Sequence, residues 1–269
     1  MGNEVYPGTQ VYGVDQKEAT NMQITDIHTH IVYGIDDGAD DREMSLRLID
    51  MEYNQGVRRI FCTSHSWSVK DCYQDYHRRF SGLKIEVEEN YPELKLYKGC
   101  EVKCFRNEME KTIDRIQEDI FPSMNGTRYV LAEFSPRITD GMDEMRYCLI
   151  KLLDSGYIPI IAHAERYHNI YTDPEEDVFF LRELGCLVQI NLFSVEQDTG
   201  WRKELANLFL EKRLVDFVGT DAHNLSYKSA EAAIGAEAIR KRYGSAYADQ
   251  ILSGNAEKLL ITDKPVMEG

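Results

Sequence analysis

The 269-residue chain has no apolar run approaching the length of a membrane span. Its start lacks the basic, then apolar, pattern of a secretory leader. It is short of positive charge: 31 lysines and arginines stand against 46 acidic residues, a formal charge of -15. That deficit argues against a broad nucleic-acid footprint, which needs a basic face. There is no Cys-x-x-Cys pair, and Cys62, Cys72, Cys100, Cys104, Cys148 and Cys186 keep no framework spacing. In a chain this long they read as reduced thiols of a cytoplasmic protein. No nucleic-acid partner and no direct membrane insertion are expected. A low-complexity linker and a convincing repeat are also missing. One domain over 23–269 is therefore expected, after an N-terminal tail, 1–22, with no clear period. The hydrophobic share, 43%, is ample for its core.

What is present is a regular alternation. Short apolar runs over 24–31, 59–63, 94–99, 128–132, 158–162, 187–190 and 215–219 read as strands. Helical spacing predicts helices over 40–55, 76–90, 107–118, 140–155, 174–184 and 200–212. Further helices follow from about 227, ending in a short one over 255–260. Gly56, Gly156 and Gly185 stop three of them. The segments 66–76 and 191–201 are expected to be strand-to-helix loops. Short strands separated by helices imply a parallel sheet covered on both faces or closed into a barrel.

The chain is organised around Asp26-Ile27-His28-Thr29-His30, followed by Asp36-Asp37-Gly38. Residues two apart on a strand share a face, so His28 and His30 point the same way. Other polar residues stand where strands end: His65, Glu101, Glu133, His163, Asp221 and His223, with Asp37 on the first loop. Singly, each is more simply a rim residue. Together they fall on the rim where parallel α/β folds build active sites. Imidazoles and carboxylates suit manganese, zinc or iron, and the oxygen donors tilt the set toward manganese. There are too many ligands for one ion, so two or three are expected. Such clusters hydrolyse phosphoesters. Cys100 and Cys104 flank Glu101 and are expected to be packing thiols, and no thiol–phosphate intermediate is expected.

D-I-H-T-H (26–30), D-D-G (36–38), T-S-H (63–65), the Glu after K-G-C (101), A-E-F (132–134), A-H-A-E-R-Y (162–167) and G-T-D-A-H-N (219–224) resemble the PHP (polymerase and histidinol phosphatase) family. They are most similar to its bacterial tyrosine-phosphatase branch, encoded with capsule and exopolysaccharide genes. The resemblance implies a distorted (β/α)7 TIM-like barrel with the metal site at the C-terminal ends of the strands. It implies two or three Mn2+ ions, with Zn2+, Fe or Mg2+ as substitutes. It also implies a partner: the phosphotyrosine tail of a membrane-associated tyrosine autokinase.

By motif, His28, His30, Glu101 and Asp221 would hold one ion. Glu101 would bridge to a second, held with Glu133 and His163. Asp37, His65 and His223 would take a third. Arg166, Asp221 and His163 would be the catalytic residues, with Arg166 binding the substrate phosphate. Two departures stand out: Ala164 where the family has proline, and Lys228 where it has a second phosphate-binding arginine. Lys228 lacks the bidentate fork. Trp67, Tyr73, Tyr76, Phe193 and Trp201 are candidates for gripping a peptide or, more simply, for anchoring their loops. The alternatives are a small-molecule phosphatase such as one for histidinol phosphate, a phosphodiesterase or nuclease of the same superfamily, and a non-catalytic binding module.

Overall fold

The computed structural model describes residues 23–135, 141–226, 228–263 and 265. The expected tail, the first residue of the 140–155 helix and residue 227 lie outside them. The strands are β1 (Ile24–Thr29), β2 (Val57–Cys62), β3 (Lys95–Lys98), β4 (Glu101–Lys103), β5 (Tyr129–Glu133), β6 (Ile158–Ile161), β7 (Leu187–Asn191) and β8 (Phe217–Gly219). The helices are α1 (Arg42–Asn54), α2 (Ser66–Asn90), α3 (Met109–Gln117), α4 (Gly141–Asp154), α5 (Pro174–Glu183), α6 (Leu192–Glu196), α7 (Trp201–Glu211), α8 (Ala233–Tyr243) and α9 (Ser245–Leu252). A 3-10 segment, Gly254–Leu260, follows.

All paired strands run parallel, in the orders β1-β2-β3 and β4-β5-β6-β7-β8. Two short contacts join these sheets into a ring. His65 bridges Glu101, and Thr29 bridges Ala222. The second seam is sealed by His30 N–H donating to the Ala222 carbonyl (2.9 Å) and Asp221 N–H donating to that of His28 (2.8 Å). β3 and β4 are one barrel position broken at Gly99-Cys100, so the fold is a distorted seven-position TIM-like barrel. The expected strand 94–99 is β3, while Glu101, expected just beyond it, begins a short strand of its own.

Ile27, Phe61, Leu131, Ile160 and Phe217 fill the interior together with Ala256 and Leu259 of the final 3-10 segment. A larger apolar cluster, with Leu48, Val87, Ile116, Leu149, Leu181 and Phe209, packs helices onto the outside. Helix ends follow local chemistry. Asp41 caps α1 by accepting from Met44 N–H (2.8 Å). Asp173 caps α5, with Pro174 in its first turn.

The expected loop 66–76 is helical. α2 begins at Ser66 and carries non-helical dihedrals only at Cys72. Its polar surface disguises a buried stripe, Val69, Tyr76, Phe80, Leu83 and Val87, at helical spacing. The segment 191–201 likewise contains the short helix α6. Cys100 and Cys104 lie in the outer core, as expected of packing thiols. Among the described residues no helix is long and apolar enough to cross a membrane.

Candidate metal centre

Glu101 is the hub. Its Oε2 lies 2.7 Å from His65 Nδ1 and 3.4 Å from Nε2 of both His28 and His30, and its Oε1 lies 2.8 Å from His163 Nε2. Asp221 closes the same space, with Oδ1 3.5 Å from His28 Nε2 and 3.4 Å from His30 Nε2. Asp37, on the first loop, reaches His65 Nε2 (3.3 Å) and His223 Nε2 (3.5 Å). Glu133 Oε2 is 3.9 Å from His65 Nδ1, while its Oε1 pairs with Lys103 at 2.8 Å. All nine ligand candidates named from the sequence therefore meet at one end of the barrel.

Backbone geometry aims them. The β1–β2 register shifts between Asp26 and Thr29, and such irregularities re-aim side chains. His163 (φ 33°) and Asp221 (φ 55°) hold left-handed conformations that non-glycine residues rarely adopt. Gly219 permits the close approach of β8, because a Cβ there would lie 2.6 Å from His28 Cβ. At Gly38 a Cβ would lie 2.0 Å from the His30 carbonyl oxygen.

Ligand-type atoms gather into four overlapping sets: His30, Asp37, His65 and His223; His28, His30 and Asp221; His28, Glu101 and His163; and His65, Glu101 and Glu133. The third and fourth regroup the expected second ion's ligands, placing Glu133 beside His65 and His163 beside His28. Glu101 Oε2, Glu133 Oε2 and His65 Nδ1 are buried without a hydrogen-bond partner. Glu101 Oε2 and His65 Nδ1 lie 2.7 Å apart without the alignment of a hydrogen bond. Buried groups of this kind are costly unless something satisfies them. Nitrogen and oxygen donors with no thiol among them fit hard or borderline dications.

The electrostatics are divided. Burial pushes Glu101 and Asp221 up, but the histidines around Glu101 and the Arg166, His28 and Lys228 charges near Asp221 hold both well below the usual carboxylate range. Glu133 is pushed up to about 7 by burial and by the Glu101 charge, against Lys103. His163 falls to about 4 through burial and the Arg166 charge. His30 is pulled down by burial but raised further by Asp36, Asp221 and Glu101.

Arg166 pairs with Asp221 (Nη2–Oδ2 2.6 Å), not with its neighbour Glu165. Glu165 accepts instead from Ser194 Oγ (2.7 Å) and Asn191 N–H (3.1 Å). A cleft beside the centre is lined by Arg166, Phe193, Arg202, Asp221 and Lys228. Lys228 Nζ lies 3.1 Å from His223 Nε2. Of the aromatic candidates, Trp67 is exposed and stacks on His65 at 3.6 Å. Tyr73 is also exposed, and Trp201 stacks on His168. Tyr76 is fully buried, with its hydroxyl 2.7 Å from both the Cys62 and the Gly99 carbonyl oxygen. It anchors strands and is removed from the peptide-gripping set.

Three residues were not picked out from the sequence. Asp36 Oδ2 lies 2.8 Å from His30 Nδ1 and accepts from His65 N–H (2.8 Å). Its place beside Asp37 was the available signal. Gln189 and Asn191, on β7, carry no charge and gave none. Two Cys-x5-Arg strings also occur, Cys72 to Arg78 and Cys100 to Arg106. Neither makes a nucleophile site. Cys72 sits inside α2, Cys100 is buried, and burial raises both thiols.

A family described as capsular polysaccharide synthesis, CpsB/CapC, matches residues 24–261. Tyrosine-protein phosphatase CpsB of Streptococcus agalactiae serotype V is 32% identical over 243 residues, spanning 87% of this chain and 97% of that protein. Tyrosine-protein phosphatase YwqE of Bacillus subtilis is 30% identical, spanning 87% and 91%. A crystal structure from work on Bacillus subtilis YwqE and Streptococcus pneumoniae CpsB, described there as metal-dependent tyrosine phosphatases, superposes with a TM-score of 0.73 at 27% identity, covering 92% of this chain and 100% of that one. The chain belongs to the CpsB/CapC family of capsular polysaccharide synthesis proteins.

Proposed function

We propose that the protein is a metal-dependent tyrosine phosphatase. It removes phosphate from the tyrosine-rich tail of a membrane-associated autokinase that controls capsular or exopolysaccharide synthesis. The observation that carries this reading is Glu101, which faces four histidines with a buried oxygen that no hydrogen bond satisfies. Relatives named as tyrosine phosphatases support the substrate.

The cofactor would be two or three Mn2+ ions, and His28, His30, Asp37, His65, Glu101, Glu133, His163, Asp221 and His223 would hold them. When bound, the ions supply Lewis-acid polarisation of the phosphoryl group and activation of water. The chain's own residues do the rest. Asp221 shares its oxygens, Oδ1 toward the histidines and Oδ2 toward Arg166. Arg166 has further guanidinium donors beyond the one Asp221 takes. They face the cleft and would grip equatorial phosphoryl oxygens. Lys228 adds a point charge on the same wall. Burial and the Arg166 charge favour the neutral imidazole of His163, the form in which it would serve as a ligand. The departing phenolate, with a pKa of about 10, needs little protonation. Residues 23–269 form the catalytic domain behind a short tail, and the protein acts in the cytoplasm, where the kinase tail lies.

The test is hydrolysis of a phosphotyrosine peptide beside histidinol phosphate and a dinucleotide diester, with manganese and then with EDTA. Peptide turnover abolished by EDTA and restored by manganese is expected. Preference for histidinol phosphate would move the substrate to small metabolites. Turnover of the diester alone would make the protein a phosphodiesterase.

A further inference from the structure

Strand β7 contributes no acidic or imidazole side chain, yet its Gln189 and Asn191 are buried against the centre. Gln189 Oε1 accepts from His163 N–H (2.7 Å) and lies 3.1 Å from His28 Nδ1. Gln189 Nε2 donates to Asn191 Oδ1 (2.9 Å), and Asn191 Nδ2 donates to Asp221 Oδ2 (3.3 Å).

Only one orientation of these amides satisfies every contact. A backbone N–H can only donate, so the Gln189 atom facing His163 is the oxygen. Its nitrogen then faces Asn191, whose oxygen must accept. The Asn191 nitrogen is left for the Asp221 carboxylate. One backbone N–H thus fixes the direction of the whole chain.

Both ends of the chain reach metal-type ligands. At one end, Gln189 Oε1 can only accept, so the neutral His28 ring carries its proton on Nδ1. Its Nε2 lone pair then points at Glu101 Oε2, His30 Nε2 and Asp221 Oδ1. At the other end, Asn191 and Arg166 occupy Asp221 Oδ2, and Oδ1 is left facing His28 and His30. We propose that Gln189 and Asn191 are positioning residues: they lock His28 in its metal-binding tautomer and reserve one oxygen of Asp221 for the same cation. The proposal rests on the metal-site reading above.

The experiment uses the full chain in three forms: wild type, Gln189→Leu and Gln189→Glu. Manganese alone is titrated calorimetrically at pH 8, and the His28 tautomer is read by nitrogen-15 NMR of histidine-labelled, metal-free protein. Gln189→Leu is expected to weaken the tightest manganese site by about 10- to 100-fold and to lose the fixed Nδ1–H signature. Gln189→Glu keeps an acceptor for Nδ1–H and is expected to recover the signature and most of the affinity. Folded Gln189→Leu protein with wild-type affinity, or wild-type His28 protonated on Nε2, would overturn the proposal. Should Gln189→Leu not fold, the tautomer in wild type and Gln189→Glu decides. Wild-type protein that binds no manganese would overturn the metal reading instead, while the NMR result still decides the positioning role.

Discussion

At the scale of single residues, the ligands were legible because all but Asp37, on the first loop, are histidines or carboxylates at or just past the end of a short apolar run. Their partners were not. Nothing in the string of letters pairs Arg166 with Asp221 across 55 positions, and that ion pair sets what Arg166 does. Removing Arg166 removes the cleft's planar phosphate clamp. Arg166→Ala is expected to lower kcat/KM on a phosphotyrosine peptide by about 10²- to 10³-fold. Arg166→Lys keeps charge without the fork and should recover only part of that. Equal activity of the two variants in steady-state assays would count against phosphate contact. Lys228 Nζ sits on the His223 Nε2 lone pair, where an ammonium competes with a cation. Lys228→Ala should therefore raise KM for the peptide while leaving manganese affinity equal or tighter. Weaker manganese binding in that variant would show that Lys228 supports the ligand set instead.

At the scale of elements, strands were easier to read than the segments leaving them. Apolar runs such as 158–162 announce themselves. The 66–76 segment, with two each of Ser, Asp and Tyr, concealed a helix whose buried stripe starts at Val69. The break at Gly99-Cys100 was hidden for a different reason. It exists because the barrel must hand the sheet from β3 to β4, a requirement of closure rather than of local propensity. Closure also explains Gly219. β8 must approach β1 closely enough for Asp221 N–H to reach the His28 carbonyl. A methyl at 219 would strike His28 Cβ, Gln189 Nε2 and Asp26 Oδ1 together. Gly219→Ala is expected to cost about 1–3 kcal/mol in urea unfolding and to lower bound manganese at the same time. Loss of stability with full manganese content would mean that the strand yields without moving His28.

At the scale of the whole molecule, the excess of acid over base matters most where carboxylates are buried together. In metal-free protein, Glu133 stands at about 7 and Asp26 at about 6, both raised by burial. A carboxyl raised in the fold holds a proton that the unfolded chain has lost. Its contribution is complete below the unfolded value and disappears as pH climbs through the folded one. His163, lowered to about 4, has the opposite sign, but its effect is over once pH exceeds the unfolded histidine value near 6.5. Above pH 6.5 Asp26 has almost finished and Glu133 still changes. His30 and His65, whose burial is outweighed by the carboxylates around them, change in the same direction as Glu133. Metal-free protein should therefore melt lower at pH 8 than at pH 6.5. Manganese requires Glu133 ionised and the histidines neutral, so it binds better at pH 8. Each ion at about 100 times its dissociation constant adds about 2.7 kcal/mol. Melting curves at both pH values, with and without manganese, should show the larger metal-induced rise at pH 8. An equal or smaller rise there would mean that these groups do not give up protons to the ions, and that the buried acids serve the fold rather than the metal.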